Sequence, residues 1–369
     1  MESTTPRRLA GFSCAPTSNA LRAAALLLLA AALGACRREA PAAAASASAE
    51  PTPRGTPSGP LTIYCGRAEP LMAPLFDQFG DRTGVSLVVR YGGTWPLESE
   101  IVREGTSTPA AVFIAQDAAA LGALSRKGLL RELPMEVVQQ VEPRFAGNEA
   151  KHDWVGLSAR ARAIVYDPAR TATEALPRTL EAVADARYDG RFGIAPANDS
   201  FQAQLALYRV LNGKDALAKL LADLKGNHPR LYPDNGSIVR AVARGEIDFG
   251  LVNHYSLWRE VKELPAGELA NGRLVTILMT GGGVAGFVNA AGVGVLSDDP
   301  RALELVRFLI SREAQEAFAR ETYEYPLAKG MAASRELSPL SSLRIPRFDF
   351  SDVAAVLEET EGATRKAGW

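Results

Sequence analysis

LTIYCGRAEPLMAPLFDQFGDRTGVSLVVRY, residues 61–91, decides the fold class. LTIYC reads as a short buried strand, and EPLMAPLFDQF sets Leu71, Leu75 and Phe79 at helical spacing. Gly84 closes a short connection into VSLVVRY, a second strand. Two strands linked through a helix make a parallel pair, because parallel neighbours need a crossover connection. The pattern continues outward: PLESEIVREG is a helix ended by Gly105, AAVFI a strand, and AQDAAALGALSRKG a helix with Leu121 and Leu124 on one face. The long strand WVGLSARARAIVYD follows, and then RFGIAPAND, SFQAQLALYRVLNG, DALAKLLADLKG, SIVRAVARG and IDFGLVN repeat the alternation. AGVGVL is a late apolar strand, and DPRALELVRFLISREAQEAFARE gives two helices split near Ser311. Such an order predicts a mostly parallel sheet covered by helices, in two α/β units.

The chain has 369 residues, 47% of them hydrophobic, with 41 basic and 42 acidic side chains. A sizeable core is available, and no basic footprint for nucleic acid exists. Arg7, Arg8 and Arg22 precede AAALLLLAAALGA, an apolar run too short to span a bilayer comfortably. Residues 1–35 therefore read as an export signal. Leu33-Gly34-Ala35-Cys36 resembles the lipobox of bacterial lipoproteins, which implies that Cys36 becomes the lipidated first residue of the mature chain. An ordinary secretory peptide is the alternative. The Ala, Pro and Ser-rich stretch up to residue 60 has too few bulky apolar groups to offset its ordering entropy, so 36–60 reads as a disordered tether. Cys14 lies in the signal, which leaves Cys65 as the one thiol of the folded part, without a disulfide partner and suited to packing.

Two α/β units hold a ligand best in the cleft between them, where helix N-termini and strand C-termini meet. PANDSF, residues 196–201, opens a helix at Asn198, Asp199 and Ser200; these residues either cradle an anion or simply cap the helix. DNGS at 234–237 offers Asn235 to a cleft or forms a turn. TGGGVAG at 280–286 has no phosphate-loop lysine or serine and reads as a flexible connection. No nucleophile elbow, paired metal-ligand histidines or Ser-His-Asp set is visible, so the reading is not an enzyme.

Six ordered blocks carry a family resemblance: residues 61–84, EGTSTPAAVFIAQDAAALGALSRKGLL, WVGLSARARAIVYD, SFQAQLALYRVL, GEIDFGLVNHYSLW and ETYEYPL. Together they resemble the bacterial periplasmic ferric-iron-binding proteins of ABC importers. The resemblance implies a bilobal type II periplasmic-binding-protein fold, two α/β lobes joined by crossing hinge strands, ARARAIVY out and AAGVGVL back. Lobe 1 would combine residues 61–160 with 290–369, which include C-terminal helices, and lobe 2 would hold 161–289.

The resemblance also implies a site. Tyr255 falls on a position where the family places a phenolate ligand of ferric iron, while Ser256 stands where a second tyrosine is usual. Ala68 occupies a histidine position and Gln116 a glutamate position, so Gln116 offers only a neutral oxygen. Ionising a free tyrosine at neutral pH costs roughly 4 kcal/mol, which a bound trivalent cation repays. One phenolate does not neutralise such an ion. Asp199 either replaces an anion or completes the metal shell, unless it only caps its helix. Asn198, Ser200, Asn235 and Asn253 match positions that hold phosphate or carbonate beside the iron, Arg160 balances cleft charge, and Asp117 joins this anion set. His254 should face away from Tyr255, since neighbours on a strand point oppositely. Arg67 is an anion contact or a surface charge, and Tyr323 and Tyr325 pack a helix end.

The implied function is a monomeric, lipid-anchored receptor on the periplasmic face of a bacterial membrane. It captures ferric iron, with phosphate or carbonate as companion anion, by hinge closure, and passes it to an ABC permease and ATPase. Alternatives are a receptor of the same fold for an anion or a metal chelate, or a tethered sensor.

Overall fold

The computed structural model describes residues 59–147, 150–263 and 273–369. The expected signal peptide, Cys36 and nearly all of the tether lie outside the described residues. In chain order the elements are β1 (Leu61–Cys65), α1 (Glu69–Thr83), β2 (Leu87–Tyr91), α2 (Thr94–Glu104), β3 (Val112–Ala115), α3 (Ala118–Arg126), α4 (Met135–Val138) and β4 (Trp154–Tyr166). Then come β5 (Phe192–Ile194), α5 (Asp199–Asn212), α6 (Lys214–Gly226), β6 (Arg230–Leu231), α7 (Asn235–Arg244), β7 (Phe249–Asn253) and α8 (Ser256–Glu263). The last are β8 (Val275–Leu278), β9 (Val288–Val295), α9 (Pro300–Leu309), α10 (Arg312–Thr322), β10 (Tyr325–Pro326) and α11 (Phe350–Lys366).

Local chemistry sets the boundaries. Asp117, Asn198, Asp234, Asp299 and Asp349 each cap a helix by accepting a backbone N–H of its first turn. Gly84 and Gly245 end α1 and α7 in the left-handed conformation that glycine adopts without Cβ strain.

The strands run in the order β2-β1-β3-β9-β4-β7-β5-β6, with β8 and β10 also paired to β4. β1, β2 and β3 are mutually parallel, as are β5, β6 and β7. The centre differs from the mostly parallel expectation: β9 is antiparallel to β3 and β4, and β4 is antiparallel to β7. The sheet is therefore mixed, because β4 and β9 are long strands that pass between the two parallel groups. β4 pairs with β9 through Trp154–Ala161 and with β7 through Arg162–Tyr166. All thirteen of its residues are buried.

The core divides along the same line. One cluster gathers residues of 61–163 with others of 278–350, among them Ile63, Phe113, Val155 and Phe318. The other clusters draw mainly on residues between Ile164 and Phe287, such as Phe201, Leu221, Ile238 and Val252. Helix α11 packs on both α3 and α5. Its start comes so near α3 that a Cβ on Gly122 would lie 2.6 Å from the Ser351 nitrogen. TGGGVAG is not a loose connection: residues 283–286 form a 3-10 turn. A Cβ on Gly281 would meet the Arg178 carbonyl oxygen at 2.6 Å, and one on Gly286 the Arg344 carbonyl carbon at 2.9 Å. These glycines serve close packing. Among the described residues no helix is long and apolar enough to cross a membrane.

Candidate functional site

Strand β7 ends at Asn253 and α8 begins at Ser256, so His254 and Tyr255 form the turn between them. Because the two residues lie in a turn and not on the strand, their rings do not point oppositely as strand neighbours would: they stay in contact, 5.5 Å between centres, with His254 buried. Tyr255 is half-buried and lines a cavity of about 980 Å³ together with Arg67, Gln116, Arg259 and Glu324. It also lines a neighbouring cavity of about 310 Å³ with Asn198, Asn235, Ser256, Arg259 and Glu260. Tyr255 and Arg259 thus line both cavities.

A chain of hydrogen bonds runs from that phenol into the sheet. Asn253 Nδ2 donates to Tyr255 Oη at 3.2 Å and to Ser200 Oγ at 3.1 Å. Arg162 Nη1 donates to Asn253 Oδ1 at 3.0 Å, and its Nε donates to Gln204 Oε1 at 3.2 Å. Arg160 Nε donates to Ser200 Oγ at 3.3 Å. Arg160 is only 4% exposed, and its Nη1 has no hydrogen-bond partner. A buried guanidinium with a free donor awaits an acceptor, since leaving it unmade costs about 1–3 kcal/mol or more. Arg259 adds a third cation, its guanidinium carbon 6.0 Å from the centre of the Tyr255 ring. Burial lowers the Arg162 pKa to about 9; the Tyr255 oxygen opposes that fall and Arg160 reinforces it.

The remaining candidates take distinct places. Asn198 caps α5 by accepting the Ser200 N–H at 3.1 Å. Asn235, 8% exposed at the start of α7, has an Oδ1 without a partner. Gln116 is held by its backbone N–H, which donates to Thr94 Oγ1 at 3.0 Å, and it lines the larger cavity. Asp199 keeps an exposed surface in the first turn of α5; burial of its carboxyl raises the pKa, repulsion from Asp117 adds to the rise, and Arg160 opposes it. Asp117 is engaged elsewhere, accepting from Ala119 N at 2.8 Å and from Asn289 Nδ2 at 2.9 Å. Asp199 and Asp117 line neither cavity.

His254 is 1% exposed. Its Nδ1 accepts the Ala161 N–H at 3.1 Å, so its Nε2 carries the hydrogen and donates to the Tyr323 carbonyl at 2.8 Å. Burial pushes its pKa down to about 4. Tyr325 stacks on the imidazole, with ring centres 4.5 Å apart. Arg67 is no surface charge. It is 4% exposed, pairs with Glu324 at 2.9 Å, donates to Ser158 Oγ at 2.6 Å and lies over the Phe318 ring.

Two parts of this constellation escaped sequence reasoning. Arg162 belongs with Arg160, and a signal existed: residues two apart on a strand share a face. The Arg67–Glu324 pair had none, because 257 residues separate its members. Among the described residues no group of three or more His, Cys, Asp or Glu could hold a metal ion. Chemically, the site offers one phenol, three nearby guanidiniums and several amide donors. It suits a cargo rich in negative charge, or a cation that brings anions with it.

Comparison with known proteins gives this architecture its relatives. A family model described as bacterial extracellular solute-binding protein matches residues 107–352. The major ferric iron-binding protein of Neisseria meningitidis serogroup B is 30% identical over 83% of this chain and 91% of its own length. The Fe(3+)-binding periplasmic protein of Serratia marcescens is 28% identical over 78% of this chain and 85% of its own. The crystal structure of iron-bound HitA from Pseudomonas aeruginosa superposes with a TM-score of 0.73 at 31% identity, covering 84% of this chain and 99% of that one. The fold is that of the type II periplasmic binding proteins. With the family model spanning most of the described residues and the fold shared throughout, the chain belongs to the bacterial extracellular solute-binding proteins.

Proposed function

We propose that the protein is the extracytoplasmic receptor of an ABC importer that captures ferric iron in the cavity beside Tyr255. The observation that carries this reading is that Tyr255 lines both cavities while its Oη is bonded to Asn253. The names of the relatives, ferric iron-binding periplasmic proteins, support the same cargo.

Tyr255 would supply the anionic oxygen when the cation binds, and Gln116 a neutral one. Because a single phenolate leaves a trivalent ion undercompensated, phosphate or carbonate completes the charge. The unpartnered Arg160 Nη1 donor supports an anion subsite that also draws on Asn198, Ser200, Asn235 and Asn253. Asp199, crowded by Asp117, either joins the metal shell or remains a first-turn carboxylate of α5. Asp117 contributes by holding α3 in place rather than by touching the anion.

Lobe 1 is taken as residues 61–160 with 290–369 and lobe 2 as 161–289, a division supported by the separation of the hydrophobic clusters near Ala163. Cargo held by groups of both lobes favours the closed form and shifts the population toward it. The closed receptor then docks on a permease and its ATPase, tethered to the membrane by lipid on Cys36. The fold is used for binding and requires no covalent step.

The test is to add ferric citrate to the purified soluble part and record the visible tyrosinate-to-iron band. Wild type should colour and Tyr255→Phe should not; equal spectra would end the ferric reading. A second reading, a receptor for an anion or a preformed metal chelate, is favoured by Ser256, Ala68 and Gln116 at usual ligand positions and by the cationic surroundings of the phenol. Binding of citrate alone with the affinity of ferric citrate would select it.

A further inference from the structure

His254 makes more contacts than a packing residue needs. Its backbone N–H donates to the Ala161 carbonyl at 3.0 Å, while its ring Nδ1 accepts the Ala161 N–H at 3.1 Å. One residue thus grips both polar groups of a single position on β4. That position is where β4 leaves β9, since Ala161 pairs with Val288 and the next residue, Arg162, already pairs with Asn253. The opposite ring nitrogen reaches the Tyr323 carbonyl at 2.8 Å. Tyr323 ends α10 with φ 54°, a left-handed conformation unusual for a side chain of its size, and this turn presents its carbonyl to the ring. The imidazole also packs T-shaped against the Tyr255 ring, 5.5 Å between centres at 79°.

We propose that His254 is a positioning residue for the cargo site. It fixes the Tyr255 phenol relative to the crossing strand β4 and to the α10–β10 corner, so that movement of β4 at Ala161 is transmitted to the phenol. The proposal rests on the reading of Tyr255 as a cargo ligand. What matters most is the acceptor that meets the Ala161 N–H, not the size of the ring: an aromatic carbocycle would fill the space against Tyr325 yet leave the Ala161 N–H and the Tyr323 carbonyl unmet. Groups that orient a metal-binding side chain from behind typically contribute about 10–100-fold to affinity.

Ferric citrate is the probe, and three variants are compared with wild type for affinity and for the position of the tyrosinate-to-iron band. His254→Phe keeps the stacking and removes both polar atoms. His254→Gln keeps a donor for Tyr323 and removes the acceptor at the ring's near position, and it replaces the phenylalanine variant if that one does not fold. His254→Asn keeps an acceptor for Ala161. Phe and Gln should weaken binding about 10–100-fold and shift the band, while Asn restores most of both. Wild-type affinity and band in Phe and Gln would overturn the proposal. So would an Asn variant as impaired as they are, or affinity losses with an unmoved band, which would mark His254 as merely structural. A colourless wild type would overturn the ferric reading and this inference with it.

Discussion

Replacing Glu324 with glutamine tests whether the floor of the cleft is held by charge. The Arg67 and Glu324 side chains are 2% and 3% exposed and 2.9 Å apart, and Ser158 Oγ bonds to both. Burial pushes the Glu324 carboxyl upward, but Arg67, Arg160 and the hydrogen bonds together hold it below its ordinary value. Glutamine keeps the shape and removes the charge. Arg67, whose Nε already lacks a partner, then becomes an uncompensated buried cation. Breaking one half of such a pair costs about 3–5 kcal/mol, against a total stability on the order of 5–15 kcal/mol. Because the folded carboxyl is depressed, its contribution is present above the unfolded carboxylate pKa and is lost as pH falls through the folded one. The deficit should therefore be largest near neutral pH and shrink in acid. Urea unfolding of Glu324→Gln and wild type at both pH values measures it. The double replacement Arg67→Met with Glu324→Leu should recover much of the loss, since an apolar pair needs no compensation. A deficit under about 1 kcal/mol at neutral pH, the worth of an exposed pair, would refute the reasoning.

Other outcomes follow from different contacts. Gly122→Ala should lower stability by about 1–3 kcal/mol despite alanine's better helix propensity, because the new methyl meets backbone atoms of Phe350 and Ser351 that cannot rotate away; thermal melting with no loss would contradict this. Wild type should lose melting temperature as pH falls from 6.5 toward about 4, because His254 is held neutral in the fold and the unfolded chain takes up the proton first; His254→Asn should flatten that stretch of the curve. Ser256→Tyr, at a residue lining the smaller cavity beside Tyr255, should raise ferric affinity and reduce its dependence on added phosphate; titration showing no gain would mean the new phenol cannot reach the cargo.

How far the sequence carried depended on whether a feature was local. Residues 61–126 could be read almost element by element, because helical and strand periods alternate and Gly84 and Gly105 punctuate them. The antiparallel centre could not. β4 and β9 are buried throughout, so their side chains show no polar face, and nothing in a run of buried residues states its direction. TGGGVAG looked loose because glycine serves both mobility and close approach, and only neighbours distant in sequence, Arg178 and Arg344, decide between them. At the site, the strand end before Tyr255 and the helix start at Asn198 were visible as local signals. The clamp on Ala161, the bridge of α11 between α3 and α5, and the burial of Arg67 each depend on segments far apart in the chain.

The role of Tyr255 is tested most directly by crystals grown with ferric citrate and measured at the iron absorption edge. An anomalous peak within bonding distance of Tyr255 Oη, with further density for an anion near Arg160, is the predicted result. A peak elsewhere in the protein, with the Tyr255 hydroxyl still bonded only to Asn253, would contradict it.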